Sequence, residues 1–219
     1  MEITIGPDLA GRVRLGVLAL DGVTVRESDA ALAAEVDAYC AALRARHGDG
    51  KSAEVPGAAD ARSLYKALGL DPTKTRPSNE ALARRALKCE PLYRINTLVD
   101  ALNLCSLREQ LPFGLYDLDR IEPPVVLRLG SAGEGYEGIR KGLVNVEGRP
   151  VLADAVGPFG NPTSDSSRSC ITLTARRALV AVYAPAFCAP ARLNAVLDAS
   201  QETLIRHCGG QAVTRLLLT

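Results

Sequence analysis

Tryptophan is absent from this chain, methionine occurs once, and aromatic side chains amount to 4% of 219 residues. A core built from it has to be aliphatic, drawn from the Leu, Val, Ile and Ala of a 47% hydrophobic fraction. Histidine occurs only twice. His47 and His207 both fall in charged or terminal parts of expected helices, so a serine or cysteine nucleophile would lack its usual base, and covalent triad chemistry is a poor fit. Cys40, Cys89, Cys105, Cys170, Cys188 and Cys208 show no CxxC spacing, which argues against both a zinc site and a small disulfide scaffold. No metal and no cofactor is expected. Neither sign of charge is in excess: 26 Lys and Arg face 25 Asp and Glu, so no chain-wide positive field exists to hold nucleic acid by charge alone. No apolar run approaches the roughly 20 residues a membrane helix needs. The opening MEITIGPDLAGR is not a basic and apolar signal segment. The expectation is a reduced, cytoplasmic protein with no membrane partner.

What is present falls into two halves. Two short strands, around Ile3 to Ile5 and from Val13 to Leu20, precede a helix capped by Ser28 whose stripe is Leu32, Val36, Tyr39, Cys40 and Leu43. Further helices are expected over Ala58 to Leu68, over Asn79 to Lys88 behind a Ser78 cap, and from Ile95, with Pro112 and Gly114 closing the helical region. From Val125 the pattern turns to short β-rich runs: Val125 to Leu129, Leu143 to Val146, Val151 to Val156, Cys170 to Thr174 and Leu179 to Tyr183. A helix over Pro190 to His207 and a strand over Ala212 to Leu218 end the sequence. Helices gathered ahead of strands argue for an α+β fold. With no linker or repeat visible, residues 1–219 read as a single domain.

The most unusual polar side chains lie between Thr73 and Ile121. Ile95, Leu98, Val99, Leu102 and Cys105 form an apolar stripe, while Asn96, Asp100 and Asn103 recur at i, i+4 and i+7 on another face. A solvated helix face usually carries Lys, Glu and Arg; short Asn and Asp are poor helix formers that do better with a fixed hydrogen-bond partner. This stripe is a candidate binding surface.

The runs TRPSNEALARRAL, INTLVDALNLCSL and LPFGLYDLDRI, followed in order by VVLRLGSAGEGY and LADAVGPFGNPTSDSSRSCITL, resemble the tRNA-editing B3/B4 domain of the bacterial phenylalanyl-tRNA synthetase beta subunit and its freestanding relatives. The resemblance covers about Arg76 to Pro185, and residues 1–70 match weakly. It implies an α+β domain with a mixed or antiparallel sheet packed against several helices. It also implies a freestanding hydrolase that binds the aminoacylated end of a tRNA and cleaves a mischarged ester. The alternative is a non-catalytic module that binds an amino acid or nucleoside. DNA is not an expected partner, and the adenylate-forming site of a ligase is absent.

On this resemblance Asn103 aligns with a pocket asparagine that can meet an ester carbonyl, a water or an ammonium group. Gly114 stands where the synthetase has a histidine, as it tends to in the freestanding relatives. The synthetase's glutamate for the tyrosine hydroxyl is not evident in ALVAVYAP. The loop DAVGPFGNPTSDSSR adds Asn161, Thr163, Ser164, Asp165, Ser166 and Arg168 as substrate-binding candidates, since such a loop carries many donors and little core. Asp117 and Asp119 read as turn residues accepting backbone N–H bonds. Candidates for RNA contact are Arg84, Arg85 and Lys88 on one helix and Arg140 and Lys141 near Arg149. Glu80, four residues before Arg84, is placed to pair with it instead.

Overall fold

The runs VRLGVLAL and RALVAVYAP are apolar on both alternating faces, the pattern of strands covered from both sides. The computed structural model, which describes residues 2–48, 50–140 and 142–219, shows both faces covered. Its elements in chain order are β1 (Ile3–Ile5), β2 (Val13–Asp21), α1 (Ala30–His47), α2 (Ala58–Ala67), α3 (Ser78–Leu87), α4 (Thr97–Glu109), β3 (Phe113–Asp117), β4 (Val125–Leu129), β5 (Gly135–Gly138), β6 (Gly142–Asn145), β7 (Pro150–Ala153), β8 (Pro158–Gly160), β9 (Arg177–Pro185), α5 (Pro190–Cys208) and β10 (Gln211–Leu218). The fold is α+β. An antiparallel sheet runs β10-β2-β9-β3, a mixed sheet runs β1-β4-β7-β8 with β1 parallel to β4, and β5 and β6 form a hairpin. No helix among the described residues is long and apolar enough to cross a membrane.

Strand alternation sorts the large sheet into two cores. Leu18 and Leu20 of β2 and Val180 and Val182 of β9 face the helices, meeting Leu98 and Leu102 of α4 and Leu193 and Leu197 of α5. Leu15, Val17, Leu179 and Tyr183 face the other way, against Leu127, Leu152 and Phe159 of the mixed sheet and Leu64 and Leu68 of α2. A one-residue slip in β2 or β9 would exchange the two sets, so two cores specify one register.

Several local expectations give way to tertiary context. Phe113 to Asp117 is the edge strand β3 rather than the close of a helical region, because β9 offers it a full row of backbone partners. Cys170 to Thr174 is irregular instead of extended; the Thr172 and Thr174 hydroxyls meet at 3.0 Å and Ala175 N–H bonds Thr172 O, a turn that the β-branched residues disguised. Ile95 is 57% exposed because the chain enters α4 only after it. Asp29, not Ser28, caps α1 by accepting from Leu32 N–H, and Ser78 opens α3 without capping it.

Tyr116 of β3 is fully buried and meets Phe159 of β8 edge to face, with ring centres 4.9 Å apart. Gly114 lies two residues before it on the same face of β3, and Gly160 approaches from β8. A Cβ at Gly114 would overlap the phenol's hydroxyl end, and one at Gly160 would overlap the ring. Gly114→Ala is therefore expected to cost about 1–3 kcal/mol as an overpacking change. In a double-mutant cycle with Tyr116→Leu, read from urea midpoints, the loss should shrink markedly. Additive effects would mean that Tyr116 does not fill that space.

Candidate functional site

The polar stripe of α4 divides by hydrogen bonding. Asn96 is the N-cap, its carboxamide oxygen accepting from Val99 N–H at 3.0 Å, and the Asp100 carboxylate accepts from Ile95 N–H at 3.0 Å. Both side chains are buried and serve the start of the helix. Burial pushes the Asp100 carboxyl above its ordinary range, against the opposing pull of the Ile95 donor. Asn103 differs from them. It is half-buried, and its carboxamide has no hydrogen-bond partner among the described residues.

The 154–168 loop is organised from within. Asp154, whose side chain is 0% exposed, accepts both arms of the Arg168 guanidinium at 2.9 Å and also the N–H groups of Glu122, Val156 and Gly157. Burial alone would raise its carboxyl, but the Arg168 fork and the backbone donors outweigh burial and hold it below the ordinary range. Arg168 also donates to Arg120 O. Asn161 accepts from Thr163 and Ser164 N–H at 2.8 Å each, and Ser166 Oγ accepts from Arg168 N–H. These are turn-forming bonds. Asp117 likewise accepts from Asp119 N–H.

Tyrosines surround this loop. Tyr65 of α2 donates to Pro162 O at 2.9 Å and meets the Thr163 hydroxyl at 3.1 Å; Tyr136 of β5 donates to Ser164 O. Burial, with the Asp165 charge adding to it, pushes the Tyr65 phenol up to about 12 and raises Tyr116, Tyr136 and Tyr183 as well. All four phenols are neutral at physiological pH, so they can donate hydrogen bonds but not act as bases. Asn161, Thr163 and Ser164 line a cleft of about 40 Å³ with Leu70, Thr75, Val144 and Arg149, not with α4. That is room for roughly one or two waters.

The basic residues separate too. Arg85 turns away onto Pro91 O, the Tyr93 ring at 4.2 Å and Glu90. Glu80 does not pair with Arg84: it is buried and held by Arg62 of α2 through two bonds of 2.7 and 2.9 Å, by Arg76 at 3.4 Å and by the Ser52 hydroxyl. Arg84 and Lys88 line a cavity of about 510 Å³ around that carboxylate. Arg140 is exposed on the β5–β6 turn, where neighbouring Ile139 N–H bonds Asp165 O; Lys141 lies outside the described residues. His207 is committed to Glu35 at 2.8 Å, and Arg108 and Arg206 hold the same carboxylate.

Residues 60–203 match the model of the B3/4 domain. The chain belongs to the B3/4 domain family. A comparison with curated proteins returns no match. Among solved structures, this B3/4 domain is similar to an N-terminal fragment of the phenylalanyl-tRNA synthetase beta subunit from Pyrococcus horikoshii, at 12% identity with a TM-score of 0.51. The likeness covers 100% of this chain and 54% of that one, so the B3/4 domain spans about half the length of the structure it matches.

Sequence reasoning missed the tyrosine ring and the Glu80 cavity. Tyr65, Tyr116, Tyr136 and Tyr183 come from four separate elements, though their scarcity in so aromatic-poor a chain was a usable hint. Nothing local to Arg62 announces a partner 18 residues away.

Two outcomes follow for the B3/4 domain. Asn96→Ala should lower stability by about 1 kcal/mol through loss of the cap, a drop measurable in urea; an unchanged midpoint would show the cap bond to be idle. For the loop, the Asp154 carboxyl is depressed in the folded state, so its contribution is present above the unfolded value of about 3.9 and is lost as pH falls through the folded value. The stability gap between wild type and Asp154→Asn should therefore narrow on going from pH 6 to pH 3. A gap that widens with acid would contradict this sign.

Proposed function

We propose that this chain acts on the aminoacylated end of a tRNA as a freestanding deacylase, with Asn103 making the polar contact to the ester. Family membership and the likeness to a phenylalanyl-tRNA synthetase beta-subunit fragment support a tRNA-related role. The observation that carries the site is the half-buried Asn103, whose carboxamide has no hydrogen-bond partner among the described residues, beside two stripe neighbours that each accept a backbone N–H at the start of the helix. An aminoacyl ester is already activated, so a positioned water and oriented donors can suffice without a nucleophile. Asn161, Thr163, Ser164, Asp165, Ser166 and Arg168 form the second candidate surface. Arg84, Lys88 and Arg140 are the RNA-contact candidates that face solvent or a cavity.

One observation favours a second reading, a module that binds an amino acid or nucleoside without turnover. Tyr116 fills the space at Gly114, where an imidazole would have to stand, and His207 is held by Glu35. A deacylation screen against deliberately mischarged tRNAs separates the readings, with release of amino acid expected for at least one of them. Asn103→Ala should then slow the best reaction about a hundredfold, the effect of removing an oriented donor, while stability changes by less than about 0.5 kcal/mol. Saturable binding of a free amino acid or nucleoside with no turnover of any ester would favour the binding module. An unchanged rate in Asn103→Ala would remove Asn103 from the site.

A further inference from the structure

Among the described residues, the 510 Å³ cavity between the Ser52–Glu54 turn, α2 and α3 is lined by five cationic side chains, Lys51, Arg62, Arg76, Arg84 and Lys88, and by one carboxylate, Glu80. In a chain of net charge +1 that is a strong local excess of one sign. Glu80 offsets only one of these five charges. Its buried oxygens are already taken by Arg62, Arg76 and Ser52, so it serves as an anchor that fixes where two guanidiniums point. Arg62 uses Nε and Nη2 on Glu80, which leaves Nη1, and Arg76 uses Nε, which leaves both terminal nitrogens. Among the described residues no ion pair involves the side chains of Lys51, Arg84 or Lys88, while the Lys51 backbone N–H meets the Glu54 carboxylate at 3.4 Å. Like charges gathered in a concavity repel one another and focus a positive potential on it. Pre-oriented arginine forks with spare donors match the tetrahedral oxygens of a phosphate, and the volume lies in the range of small-ligand pockets.

We propose that this cavity is a binding site for a terminal phosphate monoester, carried by a mononucleotide or by the 5′ end of an RNA. The proposal goes beyond the deacylase reading and does not rest on it, because its readout is binding and not turnover. Calorimetric titration with adenosine 5′-monophosphate against adenosine, and with a short RNA bearing a 5′-phosphate against the same RNA with a 5′-hydroxyl, tests it at fixed salt. The phosphorylated probe should bind at least tenfold more tightly in one or both pairs, and which pair responds identifies the source. Arg84→Ala and Lys88→Ala should each weaken that binding about tenfold. Arg85→Ala, which alters the same helix outside the cavity, should leave it within twofold. Equal affinity of phosphorylated and hydroxyl forms, no binding of any probe at millimolar concentration, or an Arg85→Ala loss as large as that of Arg84→Ala would each overturn the proposal.

Discussion

Strands β2 and β9 bury side chains on both faces, helices on one side and the mixed sheet with α2 on the other, and this double burial constrains where every other element can lie. Because neither face is free, the outer faces of the helices and the loops at the periphery have to supply whatever the chain binds. The helix layer presents Asn103. The opposite layer presents the 154–168 loop, tied down by a buried carboxylate and its arginine fork. Burying that pair is tolerable only because Asp154 takes five donors, so its desolvation is matched by hydrogen bonds.

Much of this was legible in the residues. Near-continuous apolar runs gave β2 and β9, shorter β-rich runs gave β4 and β10, and helical stripes gave α1 to α5, because those patterns report burial directly. The elements that escaped have other causes. β3 hides inside a glycine-containing pentapeptide that becomes a strand only because β9 has an open edge. β5 and β8 are three or four residues long, too short for a period to show. The turn at 170–174 is rich in β-branched residues whose hydroxyls bond locally. The stripe of α4 was visible as a pattern, but its division into two caps and one uncommitted amide depends on where the helix begins, a matter of one residue.

The same limit applies to charge. A sequence shows Glu80 four residues before Arg84 and suggests a helical pair of small worth; it cannot show that Arg62 from another helix reaches the same carboxylate and leaves Arg84 facing a cavity. The RNA-contact cluster on α3 was visible, whereas its separation into a cavity-facing pair and an inward-folded Arg85 was not. Gly114 follows a similar logic. Its meaning lies in the Tyr116 ring beside it, and that neighbour is brought there by the pleat of β3 and the approach of Gly160.

The central claim is that recognition occurs on α4, at the cavity between α2 and α3 and at the 154–168 loop, and not on α5 and β10. Hydrogen exchange of the intact chain, with and without a minihelix RNA carrying an amino acid through a non-hydrolysable 3′-amide, tests this most directly. The account predicts slowed exchange within residues 58–88, 97–109 and 154–168 and little change over 190–218. Slowing confined to 190–218 would contradict it, as would a complete lack of change at an RNA concentration that saturates binding by an independent assay.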